Sequence, residues 1–289
     1  MSDTLQRFVF DHAPIRGEIV QLEATWRSVL EHHDYPPALR AILGEMMAAA
    51  ALLAATLKFD GVLIMQIQGS GPVRLLVVEC TSSHHMRATA KWSGELPGGE
   101  LRDLVGDGRF VISLVPDGGR QSYQGVVDLE GSSVAQILEH YMRHSEQLET
   151  RLWLACDGAR AAGLLLQKLP QHEDADPDDW PRALHLAATL KPGELLELPA
   201  QQIFHRLYHE EDLRVFEPRP VSFRCSCSRD RVAGMLRMIG YDEVKTILHE
   251  RGAIDVNCEF CNRKYQFDTV DAEQVFAAEH PIQAGVTRH

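Results

Sequence analysis

Four cysteines in two close pairs constrain this chain more than any other feature. Cys225-Ser226-Cys227 and Cys258-Glu259-Phe260-Cys261 stand thirty residues apart. Two tight turns that each offer two sulfurs, joined by a segment that can fold back, meet the needs of a tetrahedral four-thiolate zinc site. Such a site is closed. It leaves no coordination position for a substrate or an activated water, so it makes a poor catalytic centre.

Two readings of the site follow, and spacing alone favours the first. In the first, zinc is purely structural and lets a domain of roughly 60 residues fold around a small core. In the second, the cysteines are a switch. Each pair can close a local disulfide, Cys225–Cys227 and Cys258–Cys261. A disulfide across one intervening residue is a strained ring, and strained disulfides are the labile, regulatory kind. Metal-held sulfurs are thiolates open to oxidants. Loss of the metal would remove on the order of 10 kcal/mol of folding energy from a domain built around it.

The remaining two of the six cysteines, Cys80 and Cys156, fall at strand ends in apolar context and read as small core residues. The histidines are scattered (His32-His33, His84-His85, His205, His209), and none has zinc spacing relative to another ligand. The first ten residues lack the basic region, apolar run and cleavage site of a signal peptide. The most apolar run, 41–57, is rich in alanine, holds Glu45, and is shorter than the roughly 20 residues of a bilayer span. It reads as a helix buried in a core, and the protein as cytoplasmic, with its thiols kept reduced. With 29 Lys+Arg against 41 Asp+Glu the net charge is −12, which disfavours nucleic acid and anionic membranes as partners.

Along the chain, Pro36-Pro37 ends one helical stretch and a long helix runs on to Lys58. Residues 62–68 and 73–79 flank the turn Gly69-Ser70-Gly71-Pro72 and read as a hairpin. That turn lacks the lysine of a phosphate-binding loop. Strands are expected at 86–92, 109–115, 123–129, 150–156 and 162–168. A helix is expected over 132–147, with Val134, Ile137, Leu138, Tyr141 and Met142 on one face. Strands and helices come in blocks, which predicts an α+β protein with a largely antiparallel sheet.

Composition shifts near Pro170. Residues 171–222 hold 11 acidic and 5 basic side chains, half of the chain's excess charge. Pro181 can open a helix to about Leu190. Pro199 can open another, with Ile203, Phe204, Leu207 and Tyr208 on one apolar face. The second helix is expected to end at Glu210-Glu211-Asp212, acids where the helix dipole favours cations. That predicts a weak segment that needs a partner surface. After it, Ser228 caps a helix to about Ile239, and another runs from 242 to 250. Strands are expected at 254–257 and 264–267, a last helix from Asp271, and a frayed tail.

These motifs resemble a known family. They include R-C-S-C-S-R-D-R, G-A-I-D-V-N-C-E-F-C-N-R-K-Y-Q-F, H-R-L-Y-H-E-E-D-L-R-V-F, H-D-Y-P-P-A-L and Q-G-S-G-P-V-R-L-L-V-V-E-C. Together they are similar, over nearly the whole chain, to the bacterial redox-regulated heat-shock holdases, the 33 kDa chaperonin family. The resemblance implies a chaperone of the stress response that uses no ATP and is not an enzyme. It implies one Zn2+ per chain in the reduced, inactive form, held by Cys225, Cys227, Cys258 and Cys261. Oxidation would close the two local disulfides and release the metal. The implied organisation is a client-binding and dimerising α+β core over 1–170, a metastable linker over 171–222, and a zinc-binding switch over 223–289. The implied partners are unfolding client proteins, downstream refolding chaperones and a second copy when active. Cys80 and Cys156 are outside the family's four-cysteine motif, and the resemblance assigns them no role.

Two other functions compete. A nucleic-acid or protein-binding module with a structural zinc would need a basic face, yet residues 225–289 hold 8 basic and 10 acidic side chains. A zinc enzyme would need an open coordination position.

Overall fold

A hairpin turned at Asp11-His12-Ala13-Pro14 opens the chain: β1 (Thr4–Phe10) and β2 (Ile15–Leu22). The helix α1 (Ala24–Leu30) follows. The carboxylate of Asp3 accepts the N–H groups of Glu23, Ala24 and Thr25 at 2.8, 3.0 and 2.5 Å, so it satisfies orphan donors at the helix start. The alanine-rich run becomes α2 (Pro37–Thr56), with proline in its first turn. It is the one described helix long and apolar enough to cross a membrane, and it is mostly buried. The computed structural model describes residues 3–96, 98–170 and 176–277.

Next come β3 (Gly61–Gly69), β4 (Val73–Thr81) and β5 (His85–Trp92), then α3 (Leu101–Val105), β6 (Gly108–Pro116) and β7 (Tyr123–Asp128). The helix α4 (Val134–His144) starts at Ser133, whose hydroxyl accepts from the Gln136 N–H, and it buries all five side chains expected on its apolar face. The hairpin β8 (Thr150–Cys156) and β9 (Ala161–Lys168) precedes three short helices, α5 (Asp179–Ala187), α6 (Pro192–Glu197) and α7 (Ala200–Tyr208). Three short strands, β10 (Leu213–Val215), β11 (Arg219–Pro220) and β12 (Ser222–Phe223), end this unit, Met1–Arg224.

The strands form two sheets. One has the order β10-β1-β2-β9-β8, with β11 also on β1; the other runs β12-β5-β4-β3-β6-β7. All pairings are antiparallel except β12 with β5. Helix α2 packs against strands of both sheets, which explains a helix apolar all round. Ala48 to Ala51 are fully buried. Gly163 of β9 lets that layer close: a Cβ there would meet Leu52 at 2.7 Å. Cys80 lies wholly within this core and Cys156 packs at its edge, behind Gly44 of α2.

The other face of the first sheet is covered by α5, α6 and α7. Phe8, Phe10, Ile15 and Ile19 of the sheet form one cluster with Ile203, Phe204, Leu207 and Tyr208 of α7, all four of them buried. The Phe8 and Phe204 rings are 4.8 Å apart, and Phe10 meets Tyr208 edge-on at 5.0 Å. Helices of nine, six and nine residues are too short to persist alone in water, so this surface holds them.

The structure corrects the expected end of α7. The helix stops at Tyr208, before the acids, and its last turn carries His205 and Arg206. Glu211 is not an exposed liability: its Oε1 accepts from Arg182 Nε at 2.7 Å. Helix α5 begins at Asp179, two residues before Pro181. The acid-rich residues 171–175, Pro97 in its expected turn and the tail from 278 onward lie outside the described residues.

The second unit, Cys225–His289, holds α8 (Arg229–Ile239), α9 (Tyr241–Arg251), β13 (Ile254–Asn257), β14 (Lys264–Phe267) and α10 (Thr269–Ala277). The two strands pair as a hairpin. Ser228 caps α8 by accepting from the Arg231 N–H, and Gly252 ends α9 in the left-handed region at φ 77°.

Candidate metal centre

The second unit has a small core. Its described cluster holds ten buried residues, among them Leu236, Val244, Leu248 and Phe267. A domain of this size is marginal on its apolar core alone. The four cysteines supply a further tie. Cys225 and Cys227 lead into α8, and Cys258 and Cys261 form the turn between β13 and β14. That turn is closed by Cys258 N–H to the Arg263 carbonyl at 2.9 Å and Asn262 N–H to the Cys258 carbonyl at 2.8 Å. Asn262 sits at φ 52°, a left-handed position that asparagine tolerates.

All four Sγ atoms lie within 4.8 Å of one another. Cys225 Sγ is 3.6 Å from Cys258 Sγ, and Cys227 Sγ is 3.4 Å from Cys261 Sγ. Sulfurs at 2.3 Å around a tetrahedral zinc would be about 3.8 Å apart. The donor set and its spacing therefore fit a thiophilic metal of zinc's size. Among the described residues this is the one group of three or more potential ligands gathered in this way.

The surroundings hold the sulfurs in place. The Tyr265 hydroxyl donates to Cys227 Sγ at 3.1 Å. Desolvation raises the Cys227 thiol, but hydrogen bonds from Tyr265 and then Cys261 outweigh it and bring the group to about 7. The Cys261 thiol goes the other way, raised by desolvation and by its neighbouring thiols. A set of sulfurs that share protons in this way loses the sharing once a cation draws all four as thiolates. Arg229 braces the first turn: its guanidinium donates to the Gln266 carbonyl at 2.9 Å, pairs with Asp271 at 2.7 Å, and lies 4.3 Å over the Phe267 ring. Neither Tyr265 nor Arg229 stands out in the sequence as a site residue. The available signal is that Tyr265 alternates with Phe267 on β14, which puts both on the inward face.

Cys80 and Cys156 do not join the cluster. Burial raises Cys80 to about 12 and Cys156 to about 11, which leaves both as thiols. Ile203, Phe204, Leu207 and Tyr208, expected from the sequence to form the apolar face of a linker, gather on the sheet of the first unit.

The comparisons agree with this architecture. The sequence pattern of the family described as "Hsp33 protein" matches residues 3–268. A "33 kDa chaperonin" of Methylobacillus flagellatus is 54% identical, over 100% of this chain and 99% of its own length. One from Chromobacterium violaceum is 51% identical over 99% of this chain and 98% of its own. The crystal structure of the 33 kDa chaperonin (heat shock protein 33 homolog) from Thermotoga maritima matches with a TM-score of 0.83 at 21% identity. It covers 96% of this chain and 98% of that one, and shows the same fold.

Proposed function

The chain belongs to the Hsp33 protein family, and on that premise we propose that it is a redox-regulated, ATP-independent holdase of the cytoplasm and not an enzyme. Cys225, Cys227, Cys258 and Cys261 bind one Zn2+ in the reduced, inactive form. The observation that carries this reading is the gathering of all four sulfurs within 4.8 Å. Four thiolates fill the coordination of a tetrahedral zinc, and every one of those ligands is oxidisable.

Activation proceeds at the cysteines. Two of the metal-held thiolates give two electrons to an oxidant such as peroxide, a disulfide forms between them, and the peroxide takes up two protons from solvent and leaves as two waters. Repeated once, this converts Cys225 with Cys227 and Cys258 with Cys261. Without its ligands the metal leaves, and the small second unit loses the tie that its core cannot replace. The adjacent 171–222 linker then comes off the sheet and bares Phe8, Phe10, Ile15 and Ile19 together with its own apolar face. Exposed apolar surface of that kind captures unfolding client proteins. The active form is a homodimer that holds clients for refolding chaperones.

The test is suppression of the thermal aggregation of an unrelated protein. The oxidised chain should suppress it and the reduced chain should not. Equal activity of the two forms would overturn the redox switch, and inactivity of both would overturn the holdase reading.

A further inference from the structure

At the C-terminal end of α2 lies a cavity of about 350 Å³, at the small end of the ~300–1,000 Å³ usual for ligand pockets. Its walls are mainly aliphatic: Leu53 of α2 and Leu57 just past its end, Leu63 of β3, Ile112 and Leu114 of β6, and Met142 of α4. Two polar clusters face it. In one, the hydroxyls of Tyr141 and Tyr123 both donate to Glu146 Oε1, at 2.5 and 3.1 Å, so that carboxylate is already engaged.

Arg16 of β2 forms the other cluster. Its Nε donates to Gln167 Oε1 at 2.9 Å, and one terminal nitrogen donates to the same oxygen. Gln167 is fully buried, and its own amide donates to the buried Thr150 Oγ1 at 2.8 Å. A buried neutral chain therefore orients the guanidinium without neutralising it. Among the described residues Arg16 forms no ion pair. The nearby Glu18 is taken by Arg7 at 2.8 Å and Arg219 at 3.7 Å. Burial, then the neighbouring Arg7 charge, depress the Arg16 pKa. A braced, half-buried cation with no carboxylate paired directly to it, on the wall of a mainly apolar cavity, is only partly offset by the Glu18 charge, and an anion placed against it would lower the remaining cost.

We propose that this cavity binds a small organic carboxylate with an apolar body. Its head accepts from the free terminal N–H groups of Arg16, and its chain lies along Leu53, Leu63 and Ile112. The site is built from elements of the first unit and does not depend on the metal centre.

Titration calorimetry of the reduced full chain with decanoate tests this, with decanol as the uncharged probe of equal length. One decanoate binds per chain, and decanol binds about tenfold more weakly, the loss expected for one charge-assisted hydrogen bond. Arg16→Gln lowers decanoate affinity to the decanol level. Equal affinity for the two probes, an unchanged Arg16→Gln variant, or no saturable binding overturns the proposal. Should the variant fail to fold, methyl spectra of the unaltered chain decide. Saturating decanoate shifts Leu53, Leu63 and Ile112; shifts confined to another surface overturn the site.

Discussion

The Tyr265 hydroxyl donates a hydrogen bond to Cys227 Sγ across 3.1 Å, from the strand that follows one cysteine turn to a sulfur of the other. A donor on a metal-bound thiolate draws off electron density and fixes the sulfur's direction. Tyr265→Phe removes the donor and keeps the ring. Its Cys227 should be the more nucleophilic sulfur, with peroxide-driven metal loss faster by about tenfold. Release followed with a chromogenic zinc chelator checks this, and an equal or slower rate would remove Tyr265 from the account.

Arg182 ties α5 to Glu211, beyond the end of α7, at 2.7 Å. Glu211→Lys replaces that bridge by a repulsion. The bridge is partly exposed, so the expected loss is about 0.5–1 kcal/mol. That should lower the temperature at which a given peroxide dose activates the chain. Glu210→Lys, at a side chain 88% exposed, should leave the threshold unchanged. Activation temperatures of the two variants measured side by side decide the point, and a raised threshold for Glu211→Lys would refute the role of the bridge.

That pair also marks where the sequence stops being legible. The dipole argument for Glu210-Glu211-Asp212 sees one turn of chain, whereas Arg182 is 29 residues upstream. The return of β10 onto β1, Phe8 opposite Val215, rests on a pairing about two hundred residues apart that no local signal encodes. What was legible is locally encoded: the cysteine turns, the Gly69–Pro72 hairpin turn, Ser228 and Gly252 at the ends of α8 and α9, and the apolar stripes of α4 and α7. The alanine run 41–57 was readable as a core helix, but not as one packed between two sheets.

Cys80 and Cys156 should remain thiols during activation. With Cys156 near 11, roughly one thiol in a thousand is ionised at pH 8. Mass spectrometry of alkylated protein should find both free after peroxide has converted the other four. Oxidation of either at a comparable rate would contradict the burial argument.

Glu45 of α2 is raised to about 7 by desolvation. The folded chain therefore binds this proton more tightly than the unfolded one. Its contribution is full below the unfolded pKa of about 4.5 and is lost as pH rises through about 7, on the order of 3 kcal/mol in all. Glu45→Gln should remove that slope and raise the melting temperature at pH 8 more than at pH 4. An equal shift at both pH values would show that the side chain is not titrating as described.

One metal is coupled to one activity in this chain, and a single time course reads both. Reduced chain is treated with peroxide at heat-shock temperature, while released zinc is read by chelator absorbance and aggregation of a thermally unfolding test protein by light scattering. One zinc per chain should leave as suppression of aggregation rises, in step and to completion. Zinc loss without suppression, or suppression while the zinc is still held, would contradict it.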